Sequence, residues 1–113
     1  MSKKILVIED DQSMRWVLDK SLSREGYSVT QASDGRSGIS AAFEVAPDLV
    51  ILDILMPDID GLTVLRKLKE SHPQLPVLII TAQNIMTHAV EAMRRGAYDY
   101  LPKPFDIAVL LER

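Results

Sequence analysis

Carboxylates recur in this chain directly after apolar runs. Ile5-Leu6-Val7-Ile8 is followed by Glu9-Asp10-Asp11, and Leu49-Val50-Ile51-Leu52 by Asp53. A third run, Val77-Leu78-Ile79-Ile80, ends at Thr81, and residues 97–101 lead into Pro102-Lys103-Pro104. Gathered at one rim, these residues would supply an oxygen nucleophile, acidic ligands, a hydroxyl donor and one fixed positive charge. Carboxylates that converge on one point repel each other, and a hard divalent cation relieves this; Mg²⁺ is the usual choice where a phosphate completes the shell. Such a set makes up a phosphoryl-transfer site, where positioning and charge neutralisation carry the catalysis.

Each residue also has a plainer reading. Asp11 stands where a helix would begin and suits its N-cap. Asp53 alone could cap a loop, Thr81 could be an ordinary strand-end hydroxyl, and Lys103 a solvated surface cation. Against this, Pro102 and Pro104 fix the backbone on both sides of Lys103, which displays that lysine rigidly. Four separate segment ends with complementary chemistry also outweigh the bland reading of any one. His72 and His88 read as solvated side chains, Trp16 as packing on the first helix, and Met86 and Met93 as part of a buried helical stripe.

Positioning these groups requires particular elements. The three apolar runs are short, continuous and largely β-branched, as in strands covered on both faces of a parallel sheet. Segments 27–32 and 97–101 mix in polar residues and suit edge strands. Between them, helical spacing recurs at Met14, Val17, Leu18 and Leu22; at Ile39, Ala42, Phe43 and Ala46; at Leu62, Leu65 and Leu68; and at Ile85, Ala89, Val90 and Met93. Asp34 and Asp60 fall at N-cap positions, Gly26 and Gly96 at C-cap positions, and a last helix begins near Asp106. This alternation predicts an α/β, flavodoxin-like (βα)5 three-layer sandwich with strand order 2-1-3-4-5, whose ligand crevice lies at the carboxyl ends of strands 1 and 3.

Composition agrees. The 113 residues are 47% hydrophobic and 26% charged, which suits one folded domain over 1–113 rather than a disordered chain. A net charge of -3 offers no basic stripe, which argues against direct nucleic-acid contact. The absence of cysteine removes disulfides and thiolate metal sites. The Met1-Ser2-Lys3-Lys4 start leads into an apolar run too short for a signal peptide or membrane span, so a cytoplasmic, non-membrane protein is expected.

The sequence resembles the receiver domains of bacterial two-component response regulators. The matching pieces are Glu9-Asp10-Asp11; Asp53-Ile54-Leu55-Met56-Pro57-Asp58-Ile59-Asp60-Gly61; Thr81-Ala82; and Tyr98-Asp99-Tyr100-Leu101-Pro102-Lys103-Pro104-Phe105. The resemblance implies that Asp53 takes a phosphoryl group from a phosphohistidine of a sensor histidine kinase. It further implies Mg²⁺ held by Asp10, Asp11, Asp53 and the main-chain carbonyl of Leu55. Lys103 and Thr81 would contact the phosphoryl group, and Thr81 with Tyr100 would switch the face formed by the fourth helix, fifth strand and fifth helix. Leu55 and Gln83 occupy positions that influence phosphoryl lifetime, and apolar Leu55 implies a phosphorylated state that is not unusually short-lived. Ser13-Met14-Arg15-Trp16-Val17-Leu18 and the stretch from Gly96 to Asp106 look like nitrogen-regulation-type activators of sigma-54 polymerase. That likeness implies a following AAA+ ATPase, a helix-turn-helix DNA-binding domain and scope for a homodimer. Only eight residues remain from Asp106, so the fifth helix is expected to be truncated relative to the family.

The rival chemistries fit less well. A haloacid-dehalogenase-type phosphohydrolase wants a second Asp two residues after the nucleophile, where Leu55 stands. A dinucleotide or flavin protein wants a glycine-rich loop after the first strand, where Asp11-Gln12-Ser13 stands. A receiver that no longer phosphorylates, working by contacts alone, is the third alternative.

Overall fold

The computed structural model describes residues 3–53, 61–82, 93–94 and 96–103, with backbone alone for 81–82 and 99–103. The elements are β1 (Lys4–Ile8), α1 (Gln12–Arg24), β2 (Ser28–Ala32), α2 (Gly35–Val45), β3 (Leu49–Asp53), α3 (Gly61–Ser71), β4 (Val77–Ala82) and β5 (Asp99–Lys103). The expected fourth helix around 85–93, apart from its end at Met93, falls outside the described residues. So do the fifth helix, the Asp60 cap, Leu55, Gln83, Met86 and His88.

Strand pairing follows the expected order, β2-β1-β3-β4-β5, and all four pairings are parallel. Because side chains alternate across a strand, the apolar runs divide their residues between two cores. Leu6, Ile8, Val50, Leu52, Val77 and Ile79 pack with Ala42 of α2 and with Val64, Leu65 and Leu68 of α3. Ile5, Val7, Ile51, Leu78 and Ile80 pack with Leu18 and Leu22 of α1. Unbroken apolarity in β1, β3 and β4 thus has a simple cause: both faces of each strand are covered. Strand β2, at the edge, is buried only at Ala32.

Helix ends explain how the chain turns back to the sheet. Asp34 accepts from the Ser37 amide at 2.8 Å and starts α2. Helix α1 closes at Glu25, after which Gly26 takes φ +94; its amide bonds the Ser23 carbonyl while Tyr27 reaches back to Leu22, a Schellman arrangement. Helix α2 ends instead on Ala46 with φ 52, a left-handed conformation that strains a residue carrying a Cβ.

Several side chains depart from the sequence reading. Trp16 is 60% exposed and Phe43 61% exposed, so neither is core. Trp16 sits two positions from the buried Leu18, about 200° around a helix of ~3.6 residues per turn, and Lys20 lies over its ring at 5.9 Å. His72 is not simply solvated, because its Nδ1 is buried and its ring meets Phe43 edge-on at 5.1 Å. Met93 is 38% exposed and so does not join a buried stripe.

Candidate functional site

Parallel register brings the acids together. Ile8 pairs with Leu52, so the next residues along, Glu9 and Asp53, lie side by side. The Glu9 amide donates to the Ala32 carbonyl at 3.1 Å, which carries β1 one step further before the chain turns. By alternation both side chains continue the face that α1 covers. Glu9 is fully buried and Asp53 is 4% exposed, whereas Asp10 is exposed. One carboxylate oxygen from each of Glu9, Asp10 and Asp53 lies within 4.8 Å of the others.

Three carboxylates this close, two of them removed from water, repel unless protons or a cation intervene. The donors are all oxygen, as a hard divalent cation requires, and exposed Asp10 leaves one side of the group toward solvent. Mg²⁺ in particular is held by one or two carboxylates while keeping water or phosphate ligands. The donor set therefore fits Mg²⁺.

Asp11 is placed differently from the expectation. Its Oδ1 accepts from the Ser13 amide at 2.9 Å and the Met14 amide at 3.3 Å, and its own φ and ψ of -76° and 112° are those of an N-cap. It lies outside the carboxylate group. Because α1 starts at Gln12, the residue before it is drawn to the helix amides. The acidic pair beside Asp53 is thus Glu9 and Asp10, one residue earlier than Asp10 and Asp11. Glu9 was the residue missed, although counting one step past the aligned ends of the two apolar runs pairs it with Asp53.

Strands β4 and β5 bring the remaining candidates to the same rim by backbone position. Thr81 pairs with Pro102 and Ala82 with Lys103, while Tyr100 pairs with Ile79 three residues before the strand ends. Leu55, the expected carbonyl ligand, lies outside the described residues. A cavity of about 380 Å³ opens at the opposite end of the sheet, lined by Pro47, Asp48, His72 and Pro76 among others. Asp48 there accepts from the Lys4 amide at 2.8 Å, a bond that ties β3 to β1 and offers no comparable chemistry.

The comparisons with known proteins converge. Residues 5–113 match the model of the response regulator receiver domain. The DNA-binding transcriptional regulator NtrC of Salmonella typhimurium is 44% identical over 112 residues, covering 96% of this chain and 24% of that protein. Response regulator MprA of Mycolicibacterium vanbaalenii is 44% identical over 113 residues, covering all of this chain and 49% of that protein. The chain thus spans from about a quarter to half the length of these relatives. Among solved structures, the receiver domain of NtrX from Brucella abortus is 40% identical with a TM-score of 0.92, over 96% of this chain and 92% of that one. Chemotaxis protein CheY4 of Vibrio cholerae is 28% identical with a TM-score of 0.91, over 99% and 95%. The chain belongs to the response regulator receiver domains of two-component signalling.

Proposed function

We propose that Asp53 is the phosphoacceptor of this receiver domain. An Asp53 oxygen attacks the phosphorus of a phosphohistidine on a sensor histidine kinase; the new O–P bond forms, the N–P bond breaks, and the freed imidazole takes up a proton. The observation that carries this reading is the buried Asp53 carboxylate, grouped with those of Glu9 and Asp10 at the carboxyl ends of β1 and β3. Glu9, Asp10 and Asp53 would hold Mg²⁺, with the Leu55 carbonyl as a further ligand by family likeness. The bound ion supplies charge neutralisation for the incoming phosphoryl oxygens.

The chain's own residues do the rest. Burial of Asp53 keeps competing water from the nucleophile. Lys103, ending β5, neutralises a phosphoryl oxygen, and the Thr81 hydroxyl bonds another. A phosphoryl group brings about -1.5 to -2 charges and three acceptor oxygens, enough to bias a two-state element. Thr81 and Tyr100 transmit this to the face of the fourth helix, β5 and the fifth helix. The domain is therefore a switch that modifies itself once, with slow self-dephosphorylation, and not a multiple-turnover enzyme.

The output is transcription control in the cytoplasm through attached domains. The similarity to NtrC, a DNA-binding transcriptional regulator, supports this; the finer reading, a sigma-54 activator with AAA+ and helix-turn-helix domains, rests on the resemblance of residues 13–18 and 96–106 to nitrogen-regulation-type activators. Incubation with Mg²⁺ and a small phosphodonor, followed by intact mass, tests the central step. One phosphoryl group should be gained and should be absent in Asp53→Asn. Continuous hydrolysis of many phosphate esters would instead indicate a phosphatase, and no gain would indicate a silent module.

A further inference from the structure

We infer that Arg15 is a positioning residue for the acidic site, acting through the main chain of Glu9; the inference rests on the Mg²⁺ reading above. Arg15 lies in the first turn of α1, where its amide donates to the Asp11 carbonyl at 3.0 Å. Helical side chains lean toward the helix N-terminus, and the Arg15 guanidinium accordingly reaches back over the loop. Its Nη1 donates to the Glu9 carbonyl at 2.7 Å, in a partly buried position. A charged donor at that distance makes one of the stronger kinds of hydrogen bond.

Glu9 is thereby held from two sides. Its amide is bonded to β2 through Ala32, and its carbonyl to α1 through Arg15. Between those anchors the chain must leave the sheet, present the Glu9 and Asp10 carboxylates beside Asp53, and place Asp11 as the cap of α1. The Glu9–Asp10 peptide is the joint of that path, and Arg15 is the side chain that fixes it. Its bond goes to a main-chain oxygen and so takes up none of the carboxylate oxygens of the site.

This arrangement contains two opposed effects whose signs differ. As a nearby positive charge, Arg15 weakens cation binding, so by charge alone Arg15→Ala would bind Mg²⁺ more tightly. As a positioning residue, it strengthens binding, and loss of such supporting groups typically costs about 10–100-fold in metal affinity. Calorimetric titration of the wild-type chain, Arg15→Ala, Arg15→Lys and the exposed helix variant Lys20→Gly with MgCl₂ separates the cases. The expected result is at least ~10-fold weaker binding in Arg15→Ala, partial recovery in Arg15→Lys, and wild-type affinity in Lys20→Gly despite a lower melting temperature. Unchanged or tighter binding by Arg15→Ala, with normal wild-type binding, overturns the inference alone. No binding by the wild-type chain overturns the Mg²⁺ reading and this inference with it.

Discussion

Replacing Asp53 by Asn should stabilise the metal-free domain. The three carboxylate oxygens lie within 4.8 Å of one another, and at that separation two unit charges repel by about 3.5 kcal/mol at an effective dielectric of ~20, or about 0.9 kcal/mol in bulk water. Asp53 faces two such neighbours and is 4% exposed, which places it nearer the first figure than the second. Asn keeps the shape and one oxygen but removes the charge. After allowing for lost acceptor capacity, a gain of about 1–3 kcal/mol is expected. Urea unfolding in EDTA measures it directly, since a domain of this size should unfold in two states; a melting temperature raised by roughly 4 °C per kcal/mol should accompany it. With Mg²⁺ at about 100 times its Kd, the wild-type chain should gain ~2.7 kcal/mol, while Asp53→Asn gains less, so the gap between them narrows or reverses. A variant that is equally or less stable than wild type in EDTA would refute the claim that like-charge repulsion dominates this site.

Further perturbations probe individual parts. Asp11→Asn keeps a capping side chain and should leave Mg²⁺ affinity much closer to wild type than Asp10→Asn does, whereas Asp11→Ala should cost ~1 kcal/mol of stability through the lost cap; calorimetry and urea melts distinguish the two effects. Gly38→Ala should destabilise by about 1–3 kcal/mol, because an added Cβ would come within 2.5–2.9 Å of three Ile8 side-chain atoms; a lower urea midpoint checks it. Ala46→Gly should stabilise by roughly 1 kcal/mol by relieving the left-handed Cβ strain at the end of α2, visible as a higher midpoint without a change in slope.

Most of the fold could be read from the sequence because one physical signal, unbroken apolar runs of four residues, has few explanations. Val50-Ile51-Leu52 has to be covered on both faces, and the two cores that share its residues are what that pattern demands. Single side chains at element boundaries were harder. Asp11 and Glu9 are adjacent carboxylates in a run of three, and which of them faces the site depends on one residue of register between β1 and β3 and on where α1 begins. Apolar composition alone does not give that residue. Phe43 and His72 show a related limit. Helical spacing placed Phe43 in a stripe, yet it sits at the margin of α2 and meets an α3-terminal histidine, so its partner came from tertiary placement and not from periodicity.

Under the proposed phosphorylation of Asp53, lateral order in the sheet says where a signal from that residue has to go. The acids stand on β1 and β3, and β2 beyond β1 ends the sheet on that side with a short edge. On the other side lie β4 and then β5, whose ends are joined by the pairings of Thr81 with Pro102 and Ala82 with Lys103. The strands themselves are poor conductors of movement, because Ile8, Leu52 and Ile79 are fully buried in close-packed cores that resist continuous deformation. A new charge at Asp53 is therefore accommodated at the strand ends, where backbone leaves the ladder, and not along the strands. The first such ends reached from β3 belong to β4 and β5. This gives a physical ground for expecting Thr81 and Lys103 to respond together: exchanging Thr81 for Val should uncouple changes around Lys103 from phosphorylation while leaving Asp53 able to accept the group. Amide chemical shifts of Asp99, Tyr100, Leu101 and Lys103 recorded with and without phosphodonor are the measurement. Shifts of equal size in the Thr81→Val variant would place the route elsewhere than across the strand ends.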